Sequence, residues 1–119
     1  MNNDIKEMGI RTFFNICEKW DLKDREIITI LGSPSEETFN QMKSTPADFN
    51  LDKKIMERIA YILNIHASLK EKLSSYDSII EWINEPKSDS PFNGKSALDV
   101  MLCREISDLS KIKNYLSSH

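Results

Sequence analysis

Few side chains in this sequence have the chemistry that an enzyme active site needs. The chain holds two cysteines and two histidines, namely Cys17, Cys103, His66 and His119. Zinc sites place such ligands in closely spaced pairs, and a cysteine nucleophile needs a histidine partner. Neither histidine has another such ligand near it in sequence. We therefore predict no metal site and no cysteine nucleophile.

The glycines also exclude the phosphate-binding loops of nucleotide-dependent enzymes. The three glycines are Gly9, Gly32 and Gly94, whereas Walker and dinucleotide-binding motifs gather their glycines within about eight residues. The carboxylates are scattered along what we expect to be solvent faces. We expect a protein that is not an enzyme and that has no cofactor.

The residues that come after Gly32 in the sequence have side chains suited to recognising DNA bases. A helix-turn-helix has two short helices joined by a tight turn. This pattern fits residues 27–31, a turn at Gly32 and Ser33, and a helix starting at about Pro34. The segment 33–36 has the form of a capping box with proline at the first helical position. If Phe39 and Met42 face inward, Asn40 and Gln41 lie on the outer face of the helix. Asparagine and glutamine side chains can form paired hydrogen bonds to adenine in the major groove. The predicted DNA-binding residues are Ser35, Glu37, Asn40, Gln41, Lys43 and Ser44.

The charge of this region leaves an alternative open. Glu36 and Glu37 suit the positive end of a helix but repel phosphate. The nearest cations are Lys23, Arg25, Lys43, Lys53 and Lys54, which either bind phosphates or are ordinary solvated side chains. The whole chain has a formal charge of −3, so DNA binding would need a local basic patch, doubled by dimerisation. The alternative is an ordinary helix pair within a bundle.

Apolar spacing predicts helices along nearly the whole chain. One stripe joins Ile10, Phe13, Phe14, Cys17 and Trp20. A long helix is expected from about Asn50, with a possible break near Asn64 or Ser68. The apolar residues on one side of this helix are Leu51, Ile55, Ile59, Ile62, Leu63, Leu69 and Leu73. A shorter helix follows from Ser75 and ends before Pro86, and residues 87–95 are expected to form a loop with a tight turn at Asn93 and Gly94. Ser96 and Asp99 cap another, and Leu109, Ile112 and Leu116 mark the last.

Composition agrees with one small domain, or two that share a core. The chain has 119 residues, of which 39% are hydrophobic and 29% charged. We find no secretion signal and no run approaching the roughly 20 apolar residues that a membrane-spanning helix needs. Two cysteines do not make a disulfide scaffold, and we expect both thiols to be buried and reduced. We therefore expect a cytoplasmic protein without a membrane partner.

The most specific pattern lies in the C-terminal half. It comprises, in order, the segments WINEP from Trp82, FNGKS from Phe92 and LDVM from Leu98. This order resembles the C-terminal domain of the Xre/MbcA/ParS antitoxin family, whose pattern runs W-L-x-x-P-N, F-G-G and S-P-L-D-L-L. The chain departs from it at Lys87, where asparagine is usual, at Ala97, where proline is usual, and in a loop about two residues longer.

The resemblance implies a compact all-α bundle with an Xre-like helix-turn-helix domain over residues 1–65 and a small helical toxin-binding domain over residues 66–119. It implies an antitoxin that neutralises a RES-type, NAD-consuming toxin, represses its own operon through operator DNA and forms a homodimer. The toxin-binding residues implied are Trp82, Pro86, Phe92, Asn93, Gly94, Lys95 and Ser96.

Three alternatives remain from the residues alone. Trp82 and Phe92 are also the side chains expected of a core that holds the loop in place. The protein would be a transcription regulator without a toxin partner if its C-terminal helices serve only to dimerise. It would be a toxin-binding module without DNA recognition if Glu36 and Glu37 prevent phosphate contact.

Overall fold

The computed structural model describes residues 3–48, 52–103 and 105–118, and these ranges are helical with no strand. The expected all-α fold is therefore confirmed. The radius of gyration is 14.1 Å, close to the roughly 13.5 Å of a compact chain of this length. The elements are α1 (Asn3–Lys19), α2 (Asp24–Ile30), α3 (Glu36–Ser44), a 3₁₀ helix (Pro46–Asp48), α4 (Lys53–Lys72), α5 (Tyr76–Asn84), α6 (Ala97–Met101) and α7 (Ile106–Ser118).

The 20-residue helix α4 is the central element, because it packs against both α1 and α7. Its buried face consists of Ile55, Ile59, Ile62, Ile65 and Leu69. The break predicted near Asn64 or Ser68 is wrong, since the Asn64 amide donates to the Ala60 carbonyl at 3.0 Å along an unbroken helix. The predicted start at Asn50, together with Leu51, lies outside the described residues. The domain boundary predicted at 65/66 falls within α4, and the division into two domains stays a prediction.

Most of the predicted apolar stripe of α1 is buried, and Phe14 is partly buried against the core. Ile10, Phe13, Cys17 and Trp20 are all within the core. Burial raises the pKa of the Cys17 thiol to about 12, so this cysteine stays protonated at neutral pH. The expectation of two buried thiols is wrong for Cys103, which is exposed because the chain leaves the core after α6.

The turn between α2 and α3 uses two left-handed residues, Gly32 (φ 95°) and Ser33 (φ 61°). Helix α3 then begins at Glu36, with Ser35 as the N-cap, and not near Pro34 as predicted. The physical reason is that an N-cap residue is extended, whereas Ser33 is left-handed. The Ser35 hydroxyl instead accepts the N–H of Thr38 at 3.1 Å.

The C-terminal helices agree with the predicted boundaries. Ser75 caps α5, which ends at Asn84 before Pro86, and Ser96 caps α6. Helix α7 buries Leu109, Ile112 and Leu116. Because α7 packs mainly on α4 and also contacts α6, it holds the segment between α5 and α6 against the bundle. Within the described ranges every helix is too short or too polar to cross a bilayer.

Candidate functional site

The segment of residues 85–96 between the two capped helices, here called the α5–α6 loop, is folded back on itself. The Lys87 N–H donates to the Lys95 carbonyl at 3.1 Å, and the Gly94 N–H donates to the Lys87 carbonyl at 2.6 Å. These two bonds bring both ends of the loop together. The backbone of the loop therefore has a defined conformation although most of its side chains are exposed.

The tip of the loop is the tight turn predicted at Asn93 and Gly94. Both residues are left-handed, with φ values of 51° and 95°. A side-chain carbon added to Gly94 would have no other heavy atom within 4 Å. Glycine is therefore favoured here by backbone conformation, since asparagine and glycine adopt left-handed angles most readily.

Phe92 holds the loop against the bundle. Its side chain is only 1% exposed and lies between two aromatic rings. The Trp82 and Tyr115 rings contact it edge to face, with centroids at 5.9 and 5.0 Å. The alternative that Phe92 is a core residue of the loop therefore agrees with its burial.

A polar contact from α7 strengthens this attachment. The Tyr115 hydroxyl donates to the Asp89 carboxylate at 3.2 Å. Partial desolvation, followed by the hydrogen bond and negative charge of Asp89, raises the pKa of Tyr115. The phenol therefore keeps its proton and remains a donor. Asp89 also accepts the N–H groups of Phe92 and Asn93 at its carbonyl, at 2.8 and 3.0 Å.

Lys87 lies at the centre of these contacts. Its ammonium group donates to the carbonyls of Trp82 and Glu85, the latter at 3.0 Å. The same Nζ is 4.0 Å from the centroid of the Trp82 ring and 5.6 Å from that of Phe92. Burial lowers the pKa of Lys87, while the charges of Glu85 and Asp89 act in the opposite direction.

Sequence reasoning missed the contributions of Lys87, Asp89 and Tyr115. A signal for Lys87 was present, since lysine after a helix end can bind its last carbonyls. Nothing local could identify the pairing of Tyr115 with Asp89, because the two residues are 26 positions apart.

The structure separates the predicted toxin-binding residues into two groups. Pro86, Asn93, Gly94 and Lys95 are exposed, and Trp82 is half-buried. Phe92 and Ser96, by contrast, are only 1% and 5% exposed. In this conformation these two side chains have almost no exposed surface and lie inside the loop, and their role in toxin binding stays a prediction. Ser96 acts locally by accepting the Asp99 N–H at 3.0 Å.

The outer face of α3 carries the predicted DNA-binding residues, all of which are exposed: Ser35, Glu37, Asn40, Gln41, Lys43 and Ser44. Phe39 and Met42 are buried, as predicted. The Ser44 hydroxyl donates to the Asn40 carbonyl at 2.8 Å. The Lys43 ammonium lies 3.6 Å from the Asp24 carboxylate, so part of its charge is already balanced within the chain.

The electrostatics of α3 are those of a neutral to acidic face. Glu36 and Glu37 lie in the first turn, and Lys43 is the sole cation of the helix sequence. Beside α3 is an open cleft of about 440 Å³ that reaches α1 and the 3₁₀ helix. Arg11 on its rim pairs with Glu7 at 2.7 Å. The cleft therefore has no concentrated positive charge that would favour an anion.

His66 packs between two aromatic rings. Its ring centroid is 6.0 Å from that of Trp20 and 5.9 Å from that of Tyr76. Burial, and then the charge of Lys70, lower the pKa of His66. Among the residues that the structure describes, no group of three or more His, Cys, Asp and Glu side chains could hold a metal ion.

The molecule is thus an all-α protein with a central helix and an ordered, exposed loop between two capped helices. No family model matches the sequence and no solved structure matches it. A protein of Sinorhizobium fredii (strain NBRC 101917 / NGR234), named Uncharacterized protein y4oB, is 32% identical over 109 residues, which cover 92% of this chain and 81% of the relative. The chain belongs to the same family as y4oB.

Proposed function

We propose that this protein is an antitoxin that binds and neutralises a toxin protein through the α5–α6 loop. The observation that carries the proposal is an exposed loop whose backbone is closed by the hydrogen bonds between Lys87, Gly94 and Lys95. A surface ordered before binding loses less conformational entropy when a partner docks. The protein acts by occupying its partner and not by catalysis.

The family resemblance supports the choice of a toxin as the partner. The positions that match the Xre/MbcA/ParS pattern fall on the end of α5, the loop and the start of α6. By that resemblance the partner is a RES-type toxin that consumes NAD, and the loop occludes its active-site cleft. A cytoplasmic homodimer with the predicted domains 1–65 and 66–119 belongs to the same proposal.

The contact surface is expected to centre on the half-buried Trp82 and the exposed residues Pro86, Asn93 and Lys95. Aromatic side chains at the centre of an interface contribute most of its binding energy, and polar residues around them exclude water. Phe92 and Ser96 support this surface from within the chain.

Co-expression with the product of the adjacent reading frame tests the toxin proposal. We expect that product to arrest growth and this chain to restore it. Gly94→Glu should abolish the rescue, because it adds a charge and a strained backbone at the exposed tip. Ala67→Glu is the matched control, since Ala67 is an exposed residue of α4 and is not part of the loop. Growth arrest that the wild-type chain fails to relieve would remove the antitoxin function.

A second candidate function is binding of operator DNA by α2 and α3. It is favoured by the left-handed turn at Gly32 and Ser33 and by the exposed amides of Asn40 and Gln41. A gel shift on the DNA upstream of the coding sequence, at several salt concentrations, tests it. Binding without any toxin interaction would favour a transcription regulator. No binding even at low salt would leave a toxin-binding module without DNA recognition.

A further inference from the structure

Lys87 connects three parts of the molecule that are otherwise separate. Its ammonium group binds two carbonyls at the end of α5, those of Trp82 and Glu85. Its main chain forms both hydrogen bonds to the turn, at Gly94 and Lys95. The half-buried side chain thus lies where the end of the helix, the aromatic cluster and the loop tip meet.

The C-terminal end of α5 favours a positively charged hydrogen-bond donor. The last four carbonyls of a helix lack partners inside it, and its C-terminal end carries partial negative charge. Helices often end on a left-handed glycine that satisfies these carbonyls, but the C-cap here is Glu85 in an extended conformation. The Glu85 N–H donates to the Trp82 carbonyl at a long 3.4 Å. The Lys87 ammonium adds a charged donor to that carbonyl and to the carbonyl of Glu85.

The aromatic contacts add a second, independent attraction. With Nζ 4.0 Å from the Trp82 centroid and 5.6 Å from the Phe92 centroid, the charge lies within cation–π range of both rings. These rings also contact each other. The cation therefore stabilises the arrangement of Trp82 and Phe92 that holds the loop on the bundle.

We propose that Lys87 is the positioning residue of the α5–α6 loop: its ammonium group keeps the loop in its toxin-binding conformation without itself contacting the toxin. This inference rests on the proposed antitoxin function. It also explains the departure from the family pattern, since the shorter, neutral asparagine cannot supply the charge for the two rings.

The first test needs no toxin and uses the whole 119-residue chain. Lys87→Met keeps the length of the stem but removes the ammonium, and Lys87→Asn introduces the residue of the family pattern. We expect amide hydrogen exchange at Gly94 and Lys95 to accelerate about tenfold or more in both variants. Amides in α4 should be unaffected, which shows that the variants remain folded. Lys87→Arg, which keeps a positive charge that can lie over the Trp82 ring, should stay closer to wild type than either neutral variant.

The second test measures binding to the purified toxin encoded by the adjacent reading frame. Lys87→Met should raise the dissociation rate about tenfold and leave the association rate within about twofold, because the loop must be reordered without any loss of direct contact. This effect should be independent of salt. Lys72→Met is the control: it removes an equal charge from an exposed position at the end of α4 and should change neither rate.

The outcomes separate the two proposals. Unchanged exchange at Gly94 and Lys95 in Lys87→Met overturns the positioning inference even if the toxin binds. A slower, salt-dependent association in that variant also overturns it, because it indicates direct contact between Lys87 and the toxin. If exchange accelerates but wild type does not bind the toxin, the antitoxin function fails. Accelerated exchange with unchanged dissociation shows that the loop is not the binding surface and overturns the inference.

Discussion

The α5–α6 loop and the outer face of α3 are two exposed surfaces that are ordered in different ways. The face of α3 takes its shape from local interactions: its own helical hydrogen bonds and the caps at Ser35 and Thr45. The loop takes its shape from α5 and α7 together, through Trp82 and Tyr115. A change in the core beneath the loop should therefore alter its outer surface, whereas α3 should keep its surface geometry after a similar change.

The two surfaces also differ in how they use charge. In α3 the exposed Glu36 and Glu37 stabilise their own helix end and disfavour phosphate. In the loop the Lys87 charge faces inward, onto carbonyls and aromatic rings. A charge near a candidate site can therefore serve the fold, the partner or both, and the direction in which it points decides which.

The largest expected effect comes from removing a buried phenylalanine beneath each surface. Phe92→Ala and Phe39→Ala should each lower the free energy of unfolding by about 3–4 kcal/mol in urea titrations, because both rings are almost fully buried. Only Phe92→Ala should also weaken toxin binding by the folded protein, measured by calorimetry. The milder Phe92→Leu provides a folded comparison. Equal binding losses for Phe92→Ala and Phe39→Ala would remove the distinction between the two regions.

A smaller effect is expected from the left-handed glycines, Gly94 in the loop and Gly32 before α3. Both have φ of 95°, so alanine at either position should cost about 1–2 kcal/mol in thermal or chemical unfolding. Gly32→Ala should cost more, since its new carbon would lie 3.0 Å from Nε of Arg58, whereas Gly94→Ala has open space. Toxin binding should decrease only for Gly94→Ala. A larger stability loss at Gly94 than at Gly32 would contradict this account.

The charge of α3 can be changed with little effect on the fold. Glu36→Lys combined with Glu37→Lys should lower stability by only about 1–2 kcal/mol, from two unfavourable charges at a helix N-terminus. The double variant should show salt-sensitive DNA binding in a gel shift, because it removes two charges that repel phosphate. Glu57→Lys with Glu71→Lys on exposed positions of α4 is the charge-matched control. Equal gains in both variants would mean that α3 is not presented to DNA.

The smallest effect is expected at His66, which lies outside both regions, between the rings of Trp20 and Tyr76. Its pKa is lowered in the folded protein, so below about pH 6.5 the unfolded chain takes up a proton more readily. Stability should therefore fall as the pH decreases from about 6.5 toward the lower, folded pKa. His66→Phe should reduce this slope in denaturation curves between pH 7 and 5.5. An NMR titration of the imidazole that gives a pKa above 6.5 would reverse the sign and contradict the prediction.

Most of the helices could be predicted because their signals are local. The apolar spacing of α1 and α4, and the serine caps of α5 and α6, depend on neighbours within a few positions. The start of α3 was missed for an equally local reason. Ser33 and Ser35 both flank Pro34 with the form of an N-cap, and only the left-handed angle of Ser33 decides between them.

The position of the candidate site along the chain could be predicted from the sequence, but the arrangement of its side chains could not. The loop boundaries and the turn at Asn93 and Gly94 follow from residue types that tolerate left-handed angles. The division into surface and supporting residues could not be predicted, because Phe92 and Lys95 are equally plausible at a loop surface until the position of α7 is known. Asp89 and Tyr115 had no pattern that pointed to them.

The amino-acid sequence alone determined the all-α class, the order of the helices and the position of the exposed loop, since periodicity and capping act over a few residues. The tertiary structure alone decided that Phe92 is inside, that Lys87 faces the rings, and that Tyr115 reaches Asp89. The physical reason is that burial and ring contacts depend on which helices meet. Which helices contact each other is determined by packing on α4, which is far from the loop in the sequence.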